Sequence, residues 1–245
     1  MKTMDGEQVN RIKEMAEQSN SFGLFSSKDA HEHDFLAREA LRAALQDEGK
    51  TVIQIPEISE EFKNKWSTIL PLSKNDAIYR STLIRIPKNR FKIKEISYKE
   101  DDIFLTLHIK SENEPVTAED IFFETIPAQI DAVFCFGESK FLQNKGIAKM
   151  QMPSAEKIIF INKNKEGAAE KIYEIIGIIN KELFLKKEIT NLLYASLVLE
   201  RIALYRQSQE KTAKIEQDLL RAGADKKIIS EILTDFLPLD RLPVF

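Results

Sequence analysis

The chain has 245 residues, 43% of them hydrophobic, and sets 36 Lys and Arg against 39 Asp and Glu for a net charge of −3. That length and apolar content suffice for a sizeable core and exclude disorder over most of the chain. The charge balance excludes the overall basic surplus of a general nucleic-acid binder, and a single cysteine, Cys135, excludes an internal disulfide.

Residues 5–19 place Val9, Ile12 and Ala16 on one face of a predicted helix. A short apolar strand is predicted over 22–26. Leu36, Ala40, Leu41, Ala44 and Leu45 then recur at helical spacing; Asp34 is placed to cap this helix and Gly49 to end it. Val52, Ile53 and Ile55 form the next strand, closed by Pro56. A strand–helix–strand unit this short implies parallel neighbours joined by a right-handed crossover.

The pattern changes over 81–123. Thr82 to Ile86 reads as a strand, and 91–98 alternates Phe91, Ile93, Ile96 and Tyr98 with polar residues, slipping near Glu95. Asp101-Asp102 makes a turn, after which Ile103, Leu105, Leu107 and Ile109 share one face and His108 points to solvent. This is an antiparallel hairpin with one wet face, either an inserted β-subdomain or an extension of the main sheet. Its lysines, set among Phe91 and Tyr98, fit a single-strand stacking surface or, more simply, the protection of an edge strand.

Continuous apolar runs return at 131–136, where Cys135 reads as a small buried hydrophobe, and at 157–161. Both are expected to be strands covered on two faces. Ile172, Ile175, Ile176, Ile179 and Leu183 mark a helix, and 189–205 is apolar nearly all round, which predicts a buried one. A helical hairpin ending at Phe236 turns at Gly223, with Asp225 capping its second helix. The tail, 237–245, is broken by prolines. No apolar run reaches the ~18 residues of a membrane span, and the N-terminus lacks the apolar centre of a secretory signal. The expectation is a cytoplasmic protein with no membrane contact.

The expected fold is α/β: a mainly parallel sheet flanked by helices, an antiparallel β-insert at about 81–123 and a helical region at about 187–236, all in one domain spanning 1–236. The segment SFGLFSSKDAHEHDFLAREALRAALQDEGKTVIQI and the hairpin TAKIEQDLLRAGADKKIISEILTDF together resemble the DHH phosphoesterase family, of the RecJ-like or nanoRNA-degrading type. The resemblance implies metal-dependent cleavage of nucleotides and short nucleic acids. In that family two metal ions, about 3.5–4 Å apart, clamp the attacking and leaving oxygens of a phosphodiester. The ligands lie over the carboxyl ends of parallel strands, where open α/β sheets place their sites.

The matching positions hold different chemistry. The histidine ending the first strand matches Ser27, and the following Asp-x-Asp matches His31-Glu32-His33. The next aspartate falls at Gly137 or Glu138, and the Asp-His-His at Asn162-Lys163-Asn164. A last aspartate matches Glu200. A pair of hard cations needs several oxygen ligands, and Lys163 would set a positive charge where one should bind. The family's substrate-binding second domain has no counterpart up to residue 245.

Three readings follow. In the first, the old cleft binds a nucleotide, a short single-stranded nucleic acid or a protein partner without hydrolysis. Ser27, Lys163, Asn164 and Lys165 would line it, the last three before a helix N-terminus suited to phosphate. In the second, His31, His33 and Glu200, with Asp34 as an alternative carboxylate, hold a metal for a rebuilt phosphodiesterase, and Glu138 or Glu200 serves in catalysis. Mn²⁺ or Zn²⁺ enters only if that histidine site is real. Against it stands the simpler reading of His31 and His33 as exposed loop residues. In the third, the chain is an assembly module, dimerising through its helical hairpin or its tail.

Overall fold

The computed structural model describes residues 4–27, 30–55, 57, 59–70, 81–126, 129–137, 151–161, 167–203 and 210–236. The chain forms two compact units, Met1–Ala77 with Gln129–Phe245, and Ile78–Ala128.

The larger unit is built on a four-stranded parallel sheet. Its strands are β1 (Ser21–Ser26), β2 (Thr51–Ile55), β7 (Ala132–Phe136) and β8 (Ile158–Phe160), in the order β2-β1-β7-β8. The central strands β1 and β7 are buried along almost their whole length. Strand β8 is only half-buried, against the expectation of cover on both faces, because it ends the sheet among the described residues. Arg11 compensates for this exposed end. From helix α1 (Gly6–Gln18) its Nη2 donates to the carbonyls of Ala155 and Ile158, each at 3.0 Å. Met15 joins Ile12 in the core from that helix, whereas Val9 and Ala16 are only half-buried.

Helix α2 (Glu32–Asp47) runs from the carboxyl end of β1 back to the start of β2. Its N-cap is His31 rather than Asp34. Asp34 sits in the first turn and accepts from the His31 backbone N–H at 3.3 Å, the return half of a capping box. Gly49, with φ at +74°, closes the helix in the left-handed conformation that favours glycine. A short helix, α3 (Glu60–Lys65), follows β2 and leads to the fully buried Trp66.

Helix α4 (Ala168–Ile179) ends earlier than its apolar spacing predicts. Asn180 breaks it, and Leu183 reaches the core from a 3₁₀ turn over Lys181–Leu185. In helix α5 (Lys187–Ala203), residues 189–200 are all buried, as its all-round apolar pattern predicts. Helices α6 (Glu210–Arg221) and α7 (Lys226–Phe236) form the hairpin. Gly223 has φ at +105°, and Asp225 Oδ1 accepts from Ile228 N–H at 3.2 Å. No helix among the described residues is long and apolar enough to cross a membrane. The tail, 237–245, lies outside the described residues.

The smaller unit does not extend the parallel sheet. Strand β3 (Ser81–Arg85) pairs antiparallel with β6 (Phe122–Ile126), a strand the sequence pattern does not announce. Strands β4 (Ile93–Glu100) and β5 (Leu105–Ser111) form a second two-stranded sheet, whose register slips between Ile93 and Glu95. The turn is held by Asp101 Oδ1, which accepts from the N–H groups of Ile103 and Phe104 at 2.9 and 2.8 Å. Phe91 is buried, and Arg90 pairs with Asp120 at 2.5 Å. Contrary to expectation, neither face of the β4–β5 hairpin is dry; the apolar face is exposed as well.

Phe134 on β7 is 1% exposed and stacks on Phe22 of β1 with ring centroids 6.0 Å apart. Phe134→Ala empties this space in the middle of the sheet and should cost about 3–5 kcal/mol in urea unfolding. A loss below about 1 kcal/mol would show that the sheet does not pack as described.

Candidate functional site

Parallel strands bring their carboxyl ends to one edge. Here Ser26 and Ser27, Phe136 and Gly137, and Ile161 stand at that edge, followed by the N-termini of α2 and α4. Open α/β sheets bind ligands at such an edge. Helix α5 crosses to it, since Ser196 Oγ donates to the His33 carbonyl at 2.7 Å.

His31 and His33 converge because the first is the N-cap and the second lies in the first turn. Their rings stack with centroids 5.3 Å apart and planes 16° apart. His31 is exposed, but His33 is buried, so the reading of both as exposed loop residues holds for His31 alone. Burial lowers the pKa of His33 below 6.5; Asp34, whose Oδ1 lies 3.8 Å from Nε2, and Glu32 oppose this, while His31 adds to it. Desolvation wins, so His33 is neutral at physiological pH. Glu32, between the two histidines, points elsewhere. Its carboxylate accepts from Trp66 Nε1 and Lys65 Nζ, each at 2.9 Å, tying the start of α2 to the end of α3.

The sequence reading missed the charge beneath these residues. Arg38, one turn further along α2, is fully buried, and its Nη1 donates to Ser26 Oγ at 2.7 Å. Its Nε and Nη2 have no hydrogen-bond partner among the described residues. The nearest carboxylate is Glu39, 4.0 Å from Nε. Glu39 is engaged by Arg42 Nε at 2.7 Å and by Gln54 Nε2 from β2. The guanidinium lies over the Phe35 ring, 4.8 Å from its centroid. Burial pulls the Arg38 pKa down to about 10, with Glu39 opposing, so the group keeps its charge at neutral pH. These two nitrogens carry three N–H groups of a buried cation, and each unpaired buried donor costs about 1–3 kcal/mol. A polar residue at helical spacing inside LAREALRAAL was the available signal.

Glu200 is buried against the start of α4. Gly167, the N-cap, has no side chain, and a Cβ there would come within 1.9 Å of Glu200 Oε1. A carboxylate at a helix N-terminus is favoured by the helix dipole. Glu170, in the first turn of α4, is also buried and accepts from Thr212 Oγ1 of α6. The end of α4 that the sequence suggests for a phosphate therefore already faces a carboxylate. Glu138, Lys163, Asn164 and Lys165 lie outside the described residues. Among the described residues no three His, Cys, Asp or Glu side chains are grouped to hold a metal ion, so His31, His33 and Glu200 do not form a three-ligand set. Cys135 is buried in β7 and its thiol is pushed up to about 12 by burial, which leaves no thiolate for nucleophilic chemistry.

No protein-family model and no curated protein matches this chain.

Gly167→Ala should destabilise the protein by about 1–3 kcal/mol, because the buried Glu200 carboxylate must move. In a Glu200→Ala background the same change should cost far less, and additive losses in a double-mutant cycle of urea midpoints would refute the contact. His33 supplies a pH test. Its folded pKa lies below its unfolded one, so between the two the unfolded chain binds more protons. Stability should fall as pH drops from 6.5 toward the folded value and level off below it. His33→Gln should flatten that part of the pH profile; an unchanged profile would show that His33 is not held neutral.

Proposed function

We propose that the chain is a divergent DHH-type phosphoesterase domain. At the carboxyl edge of its parallel sheet it binds a phosphate-bearing ligand, a nucleotide or short single-stranded nucleic acid, without the family's dinuclear hydrolysis. Arg38 carries the reading. The family places two metal dications just beyond the first strand; here a buried guanidinium is hydrogen-bonded to Ser26 at the end of that strand. A fixed cation in a low-dielectric interior repels metal ions and supplies part of the positive potential they would have given a phosphate.

The donor set agrees. Two stacked histidines without a grouped third ligand do not fit a pair of hard cations, which take oxygen ligands. In this reading His31, exposed at the N-cap, offers a ring N–H to a ligand oxygen. His33 holds the His31 ring in place by stacking, and Ser27, next to the Arg38 partner Ser26, lies at the floor.

Titration of a fluorescent nucleotide and of a short single-stranded oligonucleotide tests this. Binding should weaken about tenfold on Arg38→Met, in a variant whose unfolding remains cooperative, and should fall as salt rises. Calorimetry of the metal-stripped protein with Mn²⁺ and Zn²⁺ separates the alternative. Stoichiometric binding lost on combining His31→Ala and His33→Ala would replace this reading with the rebuilt phosphodiesterase.

A further inference from the structure

The smaller unit carries a strand edge whose sequence is complementary to itself. Strand β4 pairs with β5 on one side, and its other side is open among the described residues. Asp101 N–H donates to the Phe104 carbonyl at 3.0 Å, which sets the phase of the ladder. In an antiparallel pair the backbone groups of alternate residues face the partner. Those of Ser97 and Lys99 therefore face β5, and those of Ile96, Tyr98 and Glu100 face the open edge. Ile96 and Tyr98 also carry apolar side chains that are 62% and 73% exposed.

We propose that this edge is the contact of a homodimer, in which two copies of β4 pair antiparallel with Ser97 on the two-fold axis. The register then follows from the sequence KEISYKE. Ile96 stands opposite the Tyr98 of the second copy and Glu95 opposite Lys99, and the regular pairing ends at the slip beside Lys94. Ile96 and Tyr98 are residues whose N–H and C=O groups point outward, as a hydrogen-bonded pair requires. Lys99 and Glu100 make no ion pair among the described residues, and Glu95, held by Lys110 at 2.6 Å, gains a second cation. Two competing registers oppose like charges. Parallel in-register pairing sets Lys94, Glu95, Lys99 and Glu100 each against its own kind, and a slip of two residues toward the turn sets Glu95 against Asp101.

The arrangement is isologous and closed, as a two-fold contact must be. It converts a two-stranded sheet, marginal by itself, into the four-stranded order β5-β4-β4-β5. It also covers Ile96 and Tyr98 across the seam. A nucleic-acid strand is a poorer occupant, because Glu100, Asp101 and Asp102 adjoin Tyr98 and would repel phosphate.

Sedimentation equilibrium of the full chain over a wide concentration range tests the proposal. The expected result is a monomer–dimer equilibrium. Lys99→Glu, which faces Glu95, and Glu95→Lys, which faces Lys99, should each weaken association about tenfold. An equimolar mixture of the two variants should regain it, because both seams then set Lys against Glu. Tyr98→Pro, which removes an outward N–H and leaves the β5 ladder intact, should abolish the dimer. A chain that stays monomeric throughout overturns the proposal. So does a dimer indifferent to Lys99→Glu, or weakened variants that the mixture does not restore.

Discussion

Helix α2 has no solvent face over residues 36–45, and the larger unit is arranged around that constraint. A helix buried all round must satisfy every charge it carries from within the protein. Glu39 does so through Arg42 and Gln54, linking the helix to the edge strand β2. Arg42 is completed by Gln46 Oε1 at 2.7 Å. Arg38 is satisfied only in part, by Ser26 and by the Phe35 ring. A charge that α2 does not fully satisfy among the described residues thus lies at the carboxyl end of β1, where an α/β sheet has its ligand-binding edge.

The polar groups at that edge serve the fold as much as any ligand. Glu32 fastens α2 to Trp66, Asp34 returns the helix cap, and Glu200 lies against the glycine that starts α4. Each lies at a helix terminus, and Asp34 accepts one of the N–H groups left unpaired there.

The two units bury apolar surface by different means. In the parallel sheet, β1 and β7 are covered on both faces and need no polar alternation. The β4–β5 hairpin alternates apart from the slip near Glu95, yet its apolar face remains in water and its outer edge is unpaired among the described residues. Lysines on an edge usually prevent association. Here they are interleaved with glutamates, so that Glu95 and Lys99 stand at equal distances on either side of Ser97.

Hydrophobic periodicity by itself determined β1, β2, β7, α5 and the α6–α7 hairpin, because local pattern and burial agree there. It also marked the slip near Glu95, which breaks the two-residue alternation, and the turns at Gly49 and Gly223, where φ is positive. Strand β6 escaped because its partner, β3, is distant in sequence and nothing local records the pairing. Of the candidate site, the change from the strand ending at Ser26 to the helix that carries His33 was legible. The stacking of the two histidines was not, since it depends on where the N-cap falls. Nor was the role of Arg38: in the sequence it is one polar residue in a helical pattern, and only its packing beside Ser26 makes it a buried cation at the end of a strand. Glu200 and Gly167, 33 residues apart, touch because α5 folds back across the start of α4. Local pattern decides which segments become helices and strands; which charges share a low-dielectric interior is a property of packing, and tertiary structure alone decided it.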